Sequence, residues 1–205
     1  MMRLSVILSL LIVSSLESSA QNAYLKLGYQ ALMDKDFKTA VRQLEKACIV
    51  DSNSTNALWM LGYSYFHSEN YKKSITAYTR VIAIDKTNQA AYYFRSKAKS
   101  NMAKDSQLPA TEKEKYMLGA IQDLNKAILV KAEDSYYQNR GIAYMDYAIF
   151  KMKQAGSYDK TRVSTSLKNA IVDFEKVLSG NPARADISSL LDVAKEKLST
   201  VVGHH

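Results

Sequence analysis

The residues of this chain that could carry out chemistry are few and scattered. The 205 residues include three histidines and one cysteine. The sequence has none of the spacings typical of a hydrolase nucleophile, a zinc protease, a redox dithiol or a phosphate-binding loop. His67 is isolated in sequence, and carboxylates such as Asp34, Asp36 and Glu45 are dispersed. We therefore predict that the protein is not an enzyme, and that it holds no metal ion and no cofactor.

The cysteine and the histidines have simpler interpretations than catalysis. Cys48 lies in the apolar sequence Ala47-Cys48-Ile49, which favours a small buried residue over a reactive thiol. Because it is the only cysteine, no intramolecular disulfide can form. We expect His67 to lie at a helix surface or against a partner, and His204 and His205 to bind a metal at most adventitiously.

The chain is basic, with a formal net charge of +8 and a pI of about 9.3. Two stretches concentrate this charge: Arg95, Lys97, Lys99 and Lys104, and then Lys151, Lys153, Lys160, Arg162 and Lys168. They are either ordinary solvated side chains or a surface for an acidic segment or an anionic envelope polymer. Nucleic acid is not an expected partner, because no helix shows a dense basic face with aromatic residues between the charges.

The first twenty residues have the pattern of a signal peptide. Arg3 precedes the apolar run 4–13, and Ser18-Ser19-Ala20 offers small residues before a cleavage site at Gln21. A membrane anchor is the alternative, but a run of about ten residues is short of the roughly 20 that span a bilayer. We predict that residues 1–20 are removed, leaving no transmembrane anchor, and that the protein is exported to a bacterial periplasm or, alternatively, secreted.

From residue 21 onward the sequence repeats with a period of 34. Gly28 is followed by Gly62, and Ala40 by Ser74, each 34 residues later. Within each repeat the apolar residues recur every three and four positions, as in an amphipathic helix. A repeat of this length predicts stacked pairs of helices. Small residues at two positions of each repeat predict close helix crossings: Gly28, Gly62, Ser96 and Gly141 in the first helices, and Ala40, Ser74, Ala120 and Ala170 in the second.

These residues resemble the tetratricopeptide repeat (TPR). The residues that carry the resemblance are Tyr24, Leu27, Gly28, Ala31, Ala40, Leu44 and Ala47, then Leu58, Leu61, Gly62, Tyr65, Ser74 and Tyr78, and later Tyr137, Gly141, Tyr144, Ala170, Phe174 and Pro182. Ser52 and Lys86 depart from the pattern, since proline usually stands there, and Ser96 replaces a glycine. The resemblance implies an all-α fold, a TPR-like solenoid of antiparallel helix hairpins with a C-terminal capping helix.

The predicted domain organisation follows these repeats. Four TPR-like repeats cover 21–184, as 21–54, 55–88, 89–133 and 134–184, followed by a capping helix at 185–201 and a tail at 202–205. The last two repeats contain insertions, which we interpret as lengthened hairpins. In the third, Thr111 to Glu114 has the pattern of a capping box and predicts a helix start. In the fourth, we expect Gly156 to end the first helix.

The resemblance also implies a concave groove lined by the first helix of each hairpin. The groove positions most suited to partner binding are Leu25, Tyr29, Trp59, Tyr63, Phe66, Tyr93, Lys97, Gln138, Ile142 and Met145. Trp59 and Tyr63 are four residues apart and so share a helical face. Alternatively, these aromatic residues pack between repeats or are covered by the chain's own termini.

The resulting hypothesis is an exported protein–protein interaction scaffold, which binds a peptide or protein partner in an aromatic-rich groove. The alternative is an envelope-structural protein that binds an anionic polymer or surface through its basic face. The two hypotheses differ in which side chains must be accessible, the groove aromatics or the basic stretches.

Overall fold

The computed structural model describes residues 21–154 and 159–203. All regular elements in these ranges are α-helices, and there are nine of them. The prediction of an all-α fold is therefore confirmed. The predicted signal peptide, Gly156 and the two terminal histidines lie outside the described residues.

The nine helices of the described ranges follow one another with short connections. Their bounds are 21–33 for α1, Phe37–Val50 for α2, Thr55–His67 for α3, Tyr71–Ile84 for α4, Gln89–Met102 for α5, Ala110–Val130 for α6, Asp134–Met152 for α7, Lys160–Gly180 for α8 and Ala185–Gly203 for α9.

The helices group into two compact units, which are described separately. Unit one ends at Lys86 and contains α1 to α4, and unit two begins at Thr87 and contains α5 to α9. In unit one, α2 packs on α3 and α3 on α4. In unit two, α5 packs on α6, α6 on α7, α7 on α8, and α8 on α9.

The two hairpins of unit one are closed by the same turn, although neither contains a glycine there. Lys35 and Glu69 both have positive φ, 57° and 59°. The next N–H in each turn donates back to a helix carbonyl, from Asp36 to Ala31 at 2.8 Å and from Asn70 to Tyr65 at 2.9 Å. This arrangement satisfies the last carbonyls of the first helix in each hairpin.

Short polar side chains cap the N-termini of most of the helices that follow a turn. The side chains of Asp36, Ser54, Asn70, Asn88 and Asp159 each accept a hydrogen bond from a backbone N–H in the first turn of the next helix. Such caps are worth about 1 kcal/mol each.

The predicted capping box at Thr111 is wrong. α6 begins at Ala110 with Pro109 as its N-cap, and no side chain caps it. Thr111 therefore lies inside the first turn of α6. The fixed φ of Pro109 suits entry into a helix without a capping side chain.

Glycines in three first helices allow the second helix of the same hairpin to approach closely. A Cβ on Gly28 would lie 2.6 Å from Leu44, and one on Gly62 would lie 3.0 Å from Tyr78. On Gly141 it would lie 2.6 Å from Phe174. The large side chain of each second helix therefore occupies the space that a side chain on the first helix would need.

The other small repeat positions are buried at the same crossings. Ser96 is 1% exposed, while Ala40, Ser74, Ala120 and Ala170 are all 0% exposed. The Ser74 hydroxyl also donates a hydrogen bond to the backbone carbonyl of Gly62 at 2.9 Å. At these positions a larger side chain would have no room.

Unit two contains the longer helices. α6 and α8 have 21 residues each and α7 has 19, compared with 13 or 14 in α2 to α5. α7 ends at Met152, four residues before the glycine that was expected to end it. The insertions therefore lengthen the hairpins within the same helical architecture.

The last helix covers the apolar face of the final hairpin. Ile187 and Ala194 of α9 are fully buried and share a core with Leu167 and Phe174 of α8. α9 continues to Gly203, so residues 202 and 203, which were predicted as tail, are helical.

We predict that Gly141→Ala destabilises the fold by about 1–3 kcal/mol, because the new methyl group would overlap the Phe174 ring. Gly203→Ala is the matched control, because a Cβ there meets no atom within 4 Å. Chemical denaturation of both variants measures the difference. Equal stabilities would show that the glycine is not required by the helix crossing.

Candidate functional site

A long groove lies between α1 and α3 in unit one, and we call it the aromatic trough. It consists of two adjoining cavities of about 620 and 430 Å³. Both are lined by Tyr29, Trp59 and Met60. The first also has Leu32, Met33, Lys35, Phe37, Tyr63 and His67 in its walls, and the second has Asn22, Leu25, Lys26 and Asn56.

Aromatic rings form a continuous row along one wall of the aromatic trough. Trp59 and Tyr63 are stacked with their ring centroids 5.6 Å apart. Tyr63 then contacts His67 at 4.3 Å, and His67 stacks on Phe37 at 4.8 Å. Residues 59, 63 and 67 are spaced by four along α3, so one helical turn separates each ring from the next.

The trough combines a buried floor with exposed walls. Met60 is 7% exposed at the floor, whereas Tyr29 and Met33 on α1 are 53% and 59% exposed. Behind the trough, the buried Tyr78 of α4 meets Trp59 edge to face, with centroids 6.2 Å apart. Trp59 is thus held in place from the core side while its other side lines the cavity.

Four of the five groove residues predicted in unit one line the trough: Leu25, Tyr29, Trp59 and Tyr63. Phe66 lies outside the trough, and its role in partner binding stays a prediction. Its ring packs against Tyr71 and His67, with centroids 5.7 and 5.3 Å away, and it lines neither cavity. This side chain therefore lies beside Tyr71, the first residue of α4.

Sequence reasoning missed several residues of the trough. Phe37 is the first residue of α2, a position outside the first-helix set that was considered. Met60 was assigned to no groove position, yet it forms the floor. Lys26 and Lys35 provide positive charge at the rim. Only Phe37 had a signal in sequence, as an aromatic residue immediately after the turn that follows α1.

A second, smaller pocket of about 130 Å³ lies in unit two. Its walls are polar: Lys97, Ser100, Asn101 and Lys104 come from α5 and the turn after it, and Asn139 and Asp146 come from α7. Its apolar part is Leu124, Ile142 and Ala143. Burial raises the pKa of the Asp146 carboxyl above its ordinary value, against the opposing effect of Lys104.

Two of the groove residues predicted in unit two, Lys97 and Ile142, line this pocket, and three do not. Tyr93 packs against Tyr136 with ring centroids 5.0 Å apart. Gln138 accepts a hydrogen bond from Arg184 at 2.9 Å. Met145 is 7% exposed and belongs to the core. Met145 is thus a core residue, whereas Tyr93 and Gln138 contact other side chains of unit two and partner binding by them stays a prediction.

The first basic stretch is partly neutralised inside unit two. Arg95 binds the Asp123 carboxylate with two hydrogen bonds, at 2.9 and 2.6 Å, and Lys99 pairs with the same carboxylate at 2.8 Å. The side chains of Arg95, Lys99 and Asp123 are 15%, 18% and 5% exposed. Two of the four cations of this stretch are therefore half-buried and paired within unit two.

The next hairpin repeats this arrangement. Arg140 of α7 donates two hydrogen bonds to Asp173 of α8, at 2.8 and 2.6 Å, and Asp173 is almost fully buried. These hydrogen bonds raise the pKa of the Arg140 guanidinium above its ordinary value. Each aspartate directly precedes the large residue that packs in its hairpin, Leu124 or Phe174.

The second basic stretch also has an acidic partner. Lys151 pairs with Glu114 at 3.2 Å, and Tyr147 donates a hydrogen bond to the same carboxylate at 2.8 Å. Burial alone would raise the pKa of Glu114, but these hydrogen bonds and the charge of Arg162 outweigh it, and the pKa lies below its ordinary value. This cluster joins α6, α7 and α8 rather than presenting free positive charge.

Residues 21–154 and 159–203 contain no cluster of three or more His, Cys, Asp or Glu side chains that could hold a metal ion. No helix within those ranges has the length and apolar character needed to span a bilayer.

Comparison with known proteins identifies the fold. The tetratricopeptide repeat profile matches residues 55–88. The MamA protein is similar in structure, with a TM-score of 0.58 and 18% identity over 92% of this chain and 97% of that one. TTC0263, a TPR protein of Thermus thermophilus, has a TM-score of 0.54 and 17% identity over 85% and 98% of the two chains. No curated protein sequence matches the chain.

A further similar structure contains a bound peptide. It is the first TPR of Spaghetti (RPAP3) bound to the HSP90 peptide SRMEEVD, with a TM-score of 0.54 and 21% identity over 73% of this chain and 96% of that one. The present chain thus contains a tetratricopeptide repeat at 55–88 and shares the fold of tetratricopeptide-repeat proteins, which confirms the resemblance seen in sequence.

We predict that Asp173→Ala destabilises unit two by about 3–5 kcal/mol, because it leaves Arg140 partly buried without its counter-charge. Glu175→Ala on the same helix is the control. Its pair with Lys195 has both side chains 52% exposed, and its loss should cost about 0–1 kcal/mol. Thermal melts of both variants test this, and similar losses would contradict a structural role for the buried pair.

Proposed function

We propose that this chain is an exported protein-interaction scaffold, which binds a peptide segment of a partner protein in the aromatic trough. The observation that carries the proposal is the trough itself: large apolar side chains, half exposed on α1, line a groove on a well-packed unit. Soluble domains rarely leave such a surface without a partner. Aromatic side chains contribute strongly to binding when a partner buries them.

The similar structures support a binding role without identifying the partner. The RPAP3 repeat domain holds a peptide, and this chain shares its fold at low sequence identity. We found no arrangement of side chains in the described residues that suggests catalysis. The proposed activity is recognition alone, with no cofactor.

The basic-face alternative has less support from the described residues. Arg95, Lys99 and Lys151 are paired with buried or half-buried carboxylates. Lys97 lies over the rings of Tyr93 and Phe94. An anionic polymer would have to compete with these contacts.

Capture of a partner by trough variants tests the proposal. Trp59→Ala and Tyr29→Ala should each weaken capture by roughly 30-fold, because truncating a buried aromatic anchor typically costs about 2 kcal/mol. Leu27→Ala is the matched control, since Leu27 is as exposed as Tyr29, at 53%, on the same helix but outside the trough. Partners are taken from the native envelope fraction after nuclease and glycan digestion, and helicity is checked for every variant.

The same assay examines the polymer alternative. Replacing Lys97 and Lys104 together by glutamine should weaken capture only at low salt, where exposed charges act over a longer range. If the lysine variant lost its partner at both salt concentrations while Trp59→Ala captured it normally, the trough would not be the principal site.

Export is a separate part of the proposal and rests on the sequence of residues 1–20. We predict that the mature protein begins at Gln21, since Ser18-Ser19-Ala20 provides the small residues that a signal peptidase requires. N-terminal sequencing of the native protein, recovered from the envelope or the medium, tests this. An intact Met1 on cell-associated protein would contradict export by cleavage.

A further inference from the structure

The centre of the aromatic trough is almost devoid of polar groups. The side chains there are Tyr29, Leu32, Met33, Trp59, Met60 and Tyr63. Their polar atoms are two phenol hydroxyls, one indole N–H and two weakly accepting thioether sulfurs. The remaining polar lining residues lie toward the two ends: Asn22, Lys26 and Asn56 at one end, and Lys35 and His67 at the other.

This distribution of polar atoms restricts the backbone of a bound peptide. An extended peptide presents an N–H and a C=O at every residue, and those facing the trough would lose water without gaining a partner. An α-helix satisfies its backbone groups internally, by bonds from each N–H to the carbonyl four residues earlier. A helical occupant therefore avoids a desolvation penalty that an extended one incurs.

The spacing of the rings also fits a helix. The row at 59, 63 and 67 has centroids 5.6 and 4.3 Å apart. Side chains four residues apart on a partner helix are about 5–6 Å apart, so each can lie against a successive ring of the row. On α1, the wall from Leu25 through Tyr29 to Met33 has the same spacing of four residues.

The length and the charge of the trough define the partner further. From Asn22 to Met33 the α1 wall spans about 17 Å at 1.5 Å per residue, which corresponds to about three turns of a partner helix. Lys26 and Lys35 are exposed at the rim, and neither forms an ion pair among the residues that the structure describes. The described lining contains no acidic residue.

We propose that the aromatic trough binds an amphipathic α-helix of about three turns, with apolar residues at i, i+4 and i+8 and acidic residues at its flanks. This inference rests on the proposed function, because it specifies the partner of the same site. The apolar residues lie against the successive rings, and the flanking carboxylates approach Lys26 and Lys35.

Selection from a random peptide library, about 16 residues long to allow three helical turns and their flanks, tests the inference. The mature chain is the bait, and clones are kept when their binding falls about tenfold or more on Tyr29→Ala but not on Leu27→Ala. The expected clones have apolar residues at i, i+4 and i+8, with Asp or Glu at the ends. They should gain helical circular dichroism on binding and change the emission of Trp59, the only tryptophan of the chain.

A proline scan of a selected peptide provides the decisive comparison. Proline at a central, solvent-facing position should weaken binding about 100-fold, since it breaks the helix without touching the trough. Alanine at the same position should leave binding unchanged. Lys26→Gln with Lys35→Gln should weaken binding at low salt.

The possible results separate the two proposals. Clones that depend on Tyr29 but tolerate proline, or that alternate apolar and polar residues, would overturn the helical partner and leave the trough as a peptide site. Dependence on Tyr29 with no enrichment of flanking acids, and no effect of the lysine variant, would overturn the acidic flanks. A selection that yields no clone dependent on Tyr29 would overturn the trough as a peptide site, and the helical partner with it.

Discussion

The close crossing of the two helices in each hairpin determines what the rest of the molecule can present. In three hairpins a large side chain of the second helix, Leu44, Tyr78 or Phe174, lies where a Cβ on the first helix would be. The residue that follows the glycine then lies on the side of the first helix that faces away from this crossing, which we call its open side. Those residues are Tyr29, Tyr63 and Ile142, with Lys97 after the buried Ser96, and all four line a cavity of their own unit.

The two units use this common geometry for different surfaces. In unit one the open side of the first helices carries aromatic and methionine side chains, whereas in unit two it carries lysines, asparagines and a carboxylate. Unit two also contains the Arg–Asp pairs 95–123 and 140–173, at equivalent places in its two hairpins. The corresponding arginine position in unit one is Leu27 or Leu61, so that unit has no such pair among its described residues. Removing one partner of such a pair leaves an uncompensated buried charge, which is strongly destabilising.

The helices and their crossings could be predicted from sequence, because apolar periodicity and small residues reflect local packing. The turns at Lys35 and Glu69 could not, since neither has the glycine that usually marks positive φ. Of the site, the trough residues at strict 34-residue spacing could be predicted. Met145 and Gln138 could not, because the fourth repeat departs from that spacing and its side chains face elsewhere. The pairing of Arg95 and Lys151 was also beyond sequence reasoning, because their acidic partners lie 28 and 37 residues away along the chain.

The helix crossing and the binding surface of unit one are physically connected through Tyr78. Its ring fits against Gly62, is fully buried, and meets Trp59 edge to face behind the trough. Trp59 in turn stacks on Tyr63, so the wall of the trough is supported by the same contact that closes the hairpin. Side chains held in this way lose little conformational entropy when a partner binds, and preorganisation of this kind increases affinity without new contacts. A change that fills the space beside Gly62 would therefore move Tyr78 and then Trp59, and would alter both the stability of the hairpin and the shape of the trough.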